Sequence, residues 1–184
     1  MLGPEKKFWD STAEWRMTYF EKLKAADPGT LSRSLALERE FVIAEEAFVG
    51  RALSVSRNVL EFGCGVGRSL YPLIDEANAL YLCGVDYSVR QIALFREVCD
   101  SRGWRNVLPL VAEVSAIPLI SGRYDAVLIL NQTFGTFLGA TRRASLREAY
   151  RLLREGGVLI IGGFSAVIEA PGCYRDWGVQ LAGC

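Results

Sequence analysis

Two acids and three glycines carry the strongest chemical signal in this chain. In "RNVLEFGCGVGRSLYPLI", residues 57–74, an apolar run (Val59, Leu60) meets Glu61. Gly63, Gly65 and Gly67 follow at alternate positions, and an amphipathic segment begins. Alternating glycines let backbone approach a ligand closely. An acid at the end of an apolar run is costly unless it is used. A second acid, Asp86, ends the next apolar run, 25 positions after Glu61, where a ribose-binding acid belongs. The dinucleotide fingerprint G-x-G-x-x-G needs its third glycine at position 68, and that residue is Arg68. A carboxylate ahead of the loop suits a ligand with an ammonium group better than a pyrophosphate.

These residues need a scaffold that brings two strand ends together. From residue 57, apolar runs alternate with helical ones: "NVLEF", then 67–77; "YLCGVD" at 81–86, then 88–101; "NVLPLVAE" at 106–113; "YDAVLIL" at 124–130, then 141–154; "GVLIIGGF" at 157–164. Continuously apolar strands are covered on both faces. Strand and helix in alternation predict an α/β fold, a doubly wound parallel sheet of five strands. Ligands in such sheets sit beyond the carboxyl ends of the strands, near the switch point. Ser88 and Thr141 are N-terminal helix signals, and "LLREGG" at 152–157 predicts a helix ending at glycine. Two helical stretches, 4–26 and 31–53, precede this core. Phe8, Trp15, Tyr19 and Leu23 recur in the first at helical spacing, and "DPG" at 27–29 ends it.

Composition removes several classes of function. There are 184 residues, 51% of them hydrophobic, enough for one core. Lys+Arg and Asp+Glu are both 21, so no net charge draws the chain to nucleic acid or to a membrane surface. No apolar run reaches a membrane span, and "MLGPEKKFWD" has no signal-peptide core. The five cysteines, 64, 83, 99, 173 and 184, have no CxxC spacing and predict reduced thiols in a cytoplasmic protein, with no metal site. There is no histidine, which removes histidine-based nucleophile systems and histidine-ligated metals.

Together these segments resemble the class I S-adenosylmethionine-dependent methyltransferases, with a Rossmann-like fold. "VLEFGCGVGRS" is similar to that family's first motif, and "YLCGVDYSVRQIALFRE" to its second. "LVAEVSAIPLISGRYDAVLIL" is similar to its third region, with Glu113 where an aspartate often precedes the proline, here Pro118. "LREAYRLLREGGVLIIGGF" resembles the helix and strand that follow. The resemblance covers residues 57–164 and implies S-adenosylmethionine as cofactor and S-adenosylhomocysteine as product. It places Glu61 and the Gly63, Cys64, Gly65 and Gly67 turn at the methionine part. It also implies Asp86 on the ribose hydroxyls, Tyr87 against the adenine, and Glu113 with the Val114 backbone at the adenine edge. Asn131 would line the junction with the acceptor. No catalytic residue is assigned; Asn131 and Tyr19 are the candidates.

A sulfonium is already an activated methyl donor, so placement and exclusion of water are the main demands. A chain without histidine can meet them, with an amine, thiol or carboxylate as acceptor rather than a metal-assisted hydroxyl. "NQTF" after the fourth strand differs from the "NPPY"-like form of exocyclic-amine nucleic-acid methylases, which favours a small-molecule acceptor. Residues 1–54 are expected as a helical cap, with "FWDSTAEWRMTYF" as either a lid or core packing. Residues 55–184 form the cofactor-binding core. The family's two further antiparallel strands have only "SAVIEAPGCYRDWGVQLAGC" to form from, so they are expected to be missing and the core truncated. That leaves the fifth strand as an exposed edge through which a homodimer could form. A non-catalytic S-adenosylmethionine-binding subunit and, more distantly, a nicotinamide-dependent oxidoreductase remain as alternatives.

Overall fold

The structure, a computed structural model, describes residues 4–76 and 81–163. The expected helix over 4–26 is two helices, α1 (Pro4–Ser11) and α2 (Ala13–Ala25). Thr12 separates them: its ψ of 1° is not helical, and its hydroxyl donates to the carbonyls of Phe8 and Trp9 at 3.2 and 3.3 Å. A hydroxyl that takes carbonyls from the helix ladder favours such a break. A 3₁₀ turn, Pro28–Thr30, leads to α3 (Arg33–Ala52), which Ser32 caps by accepting from the Leu35 amide.

The core follows the expected alternation. It contains β1 (Asn58–Phe62), a 3₁₀ turn at Arg68–Leu70, α4 (Tyr71–Glu76), β2 (Tyr81–Asp86), α5 (Val89–Arg102), β3 (Val107–Val111) and β4 (Tyr124–Ile129). A short helix α6 (Thr133–Thr136), α7 (Gly139–Leu152) and β5 (Leu153–Ile161) complete it. The five strands form one parallel sheet in the order β3-β2-β1-β4-β5. The order reverses between β1 and β4, which opens a crevice at their carboxyl ends.

The strand alternation divides the core in two. On one face Val59, Leu82, Ala126 and Leu128 pack against Val49 and Leu53 of α3 and against Leu70, Ile92 and Phe95. On the other, Leu60, Phe62, Cys83, Val127 and Ile129 meet Ala149 and Leu152 of α7. Burying a side chain of this size stabilises by about 1.5–3 kcal/mol. The first face therefore packs α3 onto the sheet beside α5.

Two boundaries differ from expectation. The helix after β4 ends at Leu152, not at the glycines, and β5 starts at once with Leu153 paired to Tyr124. A register shift before the Ala126–Val158 pair takes up the extra residues, and Gly156 supplies a φ of +72° there. Asp125 pins this corner, accepting from the amides of Arg57 and Asn58 and from the guanidinium of Arg154. β5 lies at one edge of the sheet with Val158 and Ile161 exposed, and β3 lies at the other edge. Residue 77, the segment from residue 164 onward with the expected missing strands, and Cys173 and Cys184 lie outside the described residues. Among the described residues, no helix is long and apolar enough to cross a membrane.

Candidate functional site

A cavity of about 1300 Å³ lies at the carboxyl ends of β1, β2 and β4. Its wall includes Glu61, Gly63, Cys64, Gly65, Asp86, Tyr87, Glu113, Val114 and Asn131. Residues that the sequence spreads over more than 70 positions therefore share one space.

The glycine turn is built by hydrogen bonds to β2. The amides of Gly63 and Cys64 both donate to the Val85 carbonyl, at 2.7 and 3.1 Å. The Gly65 amide donates to Asp86 Oδ2 at 2.9 Å, and Asp86 Oδ1 accepts from the Ser88 amide at 2.8 Å. Asp86 thus ties the turn to the start of α5 before any ligand is considered. Burial raises its pKa, and those two amides work against the rise. The Cys64 side chain is a core filler. Its sulfur sits 2.7 Å from where a Cβ on Gly84 would lie, and burial raises its thiol pKa well above the ordinary value.

Gly67 does not line the cavity. A Cβ there would sit 2.3 Å from the ring of buried Phe95. The third glycine is therefore a packing residue, and its expected cofactor contact is withdrawn. Tyr19 also lies outside the cavity wall. Its ring stacks on Trp15 at 4.2 Å and its hydroxyl donates to Glu38 Oε2 at 2.8 Å.

Two buried side-chain atoms of ionisable groups at this cavity have no hydrogen-bond partner. Glu61 is 2% exposed; its Oε1 accepts from Ser69 Oγ at 2.8 Å, while Oε2 has no hydrogen bond. Arg68 is 7% exposed; its Nη1 donates to Glu46 at 3.0 Å, while Nη2 has no partner. Arg68 lies 4.0 Å over the Phe20 ring. Buried polar atoms are rarely left unpaired, so an open carboxyl oxygen and an open guanidinium nitrogen at one cavity point to a ligand with a group for each. Arg68 counted in the sequence only as a missing glycine; its place directly after the turn was the available signal.

Burial raises the Glu61 pKa to about 8, partly opposed by Ser69 and Arg68. The folded protein therefore holds a proton here that the unfolded chain has released above the ordinary carboxylate range. The stability from this site is full below about pH 4.5 and falls as pH rises toward about 8. Glu61→Gln is expected to abolish that loss. Its melting temperature in the absence of ligand should gain on the wild type from about pH 5 to about pH 8. A constant difference across that range would show that Glu61 is not held protonated.

The N-terminal helices line one part of the cavity. Lys6, Phe8, Trp9, Arg16 and Phe20 belong to its wall, whereas Trp15 is half exposed. Asp10 accepts from Ser88 Oγ, and Gln91 Nε2 donates to the Trp9 carbonyl at 3.3 Å, so α1 is latched to the start of α5. From α3, Glu45 accepts from the Asn131 amide at 2.9 Å, and burial raises its pKa. Asn131 and Gln132 both have left-handed φ, 52° and 65°. Such backbone costs about 1–3 kcal/mol for each residue and persists where surroundings impose it. Glu45 is part of that imposition, and no local sequence signal marked it.

Comparison with known proteins gives this geometry a family. The chain is 25% identical over 146 residues to the carboxy-S-adenosyl-L-methionine synthase of Aliivibrio salmonicida, covering 78% of this chain and 60% of that protein. It is 26% identical over 152 residues to a tRNA N(3)-cytidine methyltransferase of Mus musculus, covering 76% and 38%. It thus spans well under two thirds of the length of either relative. The glycopeptide N-methyltransferase MtfA, in complex with S-adenosylmethionine, superposes with a TM-score of 0.56 at 25% identity, over 66% of this chain and 53% of that one. A family model described as a methyltransferase domain matches residues 59–157, which run from β1 into β5. With that match covering more than half of the chain, including the glycine turn and Asp86, the chain belongs to the methyltransferase-domain family.

Proposed function

We propose that this chain transfers a methyl group from S-adenosylmethionine to a small-molecule acceptor. The carrying observation is the pair of unpartnered buried atoms, Glu61 Oε2 and Arg68 Nη2, in the same wall as Asp86. An amino-acid end with ammonium and carboxylate, joined to a ribose, has groups for all three. Glu61 accepts from the ammonium, Arg68 donates to the carboxylate, and Asp86 accepts from the ribose hydroxyls. Tyr87, Glu113 and the Val114 backbone serve the adenine, and Asn131 stands at the acceptor junction.

S-adenosylmethionine supplies a methyl group already activated on a sulfonium. The protein's work is to orient the nucleophile and to keep water out. The Asp86–Gly65 hydrogen bond holds the turn, and side chains of α1 and α2 line the cavity. The small-acceptor reading is supported by the balanced charge and by a cavity wall containing Phe8, Trp9, Phe20 and Phe137.

Fragments of the cofactor test the assignment. S-adenosylhomocysteine is expected to bind in calorimetry, and NAD is not. Arg68→Gln should weaken S-adenosylhomocysteine about tenfold or more, as loss of one hydrogen bond to a charged group implies. It should leave 5′-methylthioadenosine, which has no amino-acid end, unchanged. Equal losses for both ligands would remove Arg68 from the carboxylate. A turnover screen over amines, thiols and acids then separates an active enzyme from a silent binding subunit.

A further inference from the structure

The charged groups of the cavity do not cancel once the cofactor is assigned. Its wall holds three acids, Glu61, Asp86 and Glu113, and four bases, Lys6, Arg16, Arg68 and Arg142. In the reading above, the three acids and Arg68 all serve the cofactor. Arg142 is engaged with backbone, donating to the carbonyls of Phe137 and Gly135 at 3.1 and 3.3 Å. Lys6 lies over the Tyr87 ring at 5.9 Å, on the adenine side.

Arg16 is left. It projects from α2, and its guanidinium lies 4.4 Å from the centre of the Trp9 ring and 5.8 Å from that of Trp15. Among the described residues its side chain makes one hydrogen bond, a long one of 3.4 Å from Nε to Thr12 Oγ1, and no ion pair. It feels the charges of Asp86, Glu38 and Arg68, and shares the cavity wall with Asp86 and Arg68. Burial depresses the Arg16 pKa, which reflects how poorly water solvates this cation. Phe8, Trp9 and Phe20 lie in the same wall.

We propose that Arg16 is the anchor for a carboxylate on the methyl acceptor, and that the acceptor is a small acid with a flat apolar body. A guanidinium presents a planar fork that a carboxylate matches with two parallel hydrogen bonds. The Trp9 ring, 4.4 Å from the guanidinium, helps to hold that fork in place. A cation held out of water gains most from an anion that enters the same dry space. The loaded sulfonium adds a second positive charge nearby, so an anionic acceptor is drawn in by both. The aromatic wall then favours a flat apolar body behind the carboxylate.

This inference rests on the cofactor assignment, and the test separates the two. The protein is loaded with S-adenosylhomocysteine and titrated with benzoate and with benzamide, its neutral counterpart of the same shape. Benzoate is expected to bind at least about tenfold more tightly. Arg16→Gln should erase that preference while keeping the wild-type affinity for S-adenosylhomocysteine, and Arg16→Lys should keep part of it. The melting temperature with S-adenosylhomocysteine bound checks that each variant is folded. Equal binding of the two probes, or a preference that survives in Arg16→Gln, overturns the proposal. A loss of S-adenosylhomocysteine affinity in Arg16→Gln also overturns it, because Arg16 would then serve the cofactor. Failure of the wild type to bind S-adenosylhomocysteine at all would instead refute the cofactor reading itself.

Discussion

Asp86→Ala is expected to weaken S-adenosylhomocysteine by about 100-fold or more. Two charge-assisted hydrogen bonds to the ribose are each worth roughly 1.5–3 kcal/mol before water replaces part of them. A net loss of about 2.8 kcal/mol corresponds to a 100-fold change in affinity. The structure adds a second cost, since the amides of Gly65 and Ser88 lose their acceptor and the turn loses its tie to α5. Because the ribose is common to both ligands, 5′-methylthioadenosine should suffer as badly as S-adenosylhomocysteine. That pattern differs from the one expected of Arg68→Gln, which spares the fragment. Unchanged affinity in a folded Asp86→Ala protein would end the ribose assignment.

The largest effect on stability is expected at Gly67. Gly67→Ala should cost about 2–5 kcal/mol, the sum of a left-handed residue with a side chain and an overpacked core. Its φ is +80°, and the new Cβ would lie 2.3–2.5 Å from three ring atoms of Phe95. Phe95 is fully buried among Leu70, Ile92 and Cys99, so the ring has nowhere to withdraw. Gly65→Ala bears the same left-handed cost, with φ +55°, but not the buried-ring clash. There the Cβ meets Gln91 Oε1 at 2.5 Å, the end of a longer side chain on the cavity wall. It should lose ligand affinity more than stability. Chemical denaturation and calorimetry on both variants check this; if Gly67→Ala is as stable as wild type, the packing role is wrong.

One motif therefore contains two kinds of glycine, and their alternate spacing could not tell them apart. Gly63 and Gly65 face the cavity, whereas Gly67 lets α5 come close. The distinction depends on Phe95, which lies 28 positions further along the chain. Arg68 shows the same limit: its identity excluded one cofactor, but only burial left its Nη2 without a partner.

The sequence by itself determined the sheet, its parallel sense and the strand ends at which Glu61 and Asp86 stand. These follow from local pattern, because apolar runs of strand length between helical repeats have few ways to bury both faces. Glycine spacing and the acid at the second strand end are equally local. What only the tertiary structure decided involves contacts between distant segments. Glu45 reaches from α3 to the Asn131 amide, and Arg16 arrives in the cavity wall beside Trp9. Each is set by how α1, α2 and α3 pack across the sheet ends, and helical periodicity reports which face is apolar but not which residue it will meet.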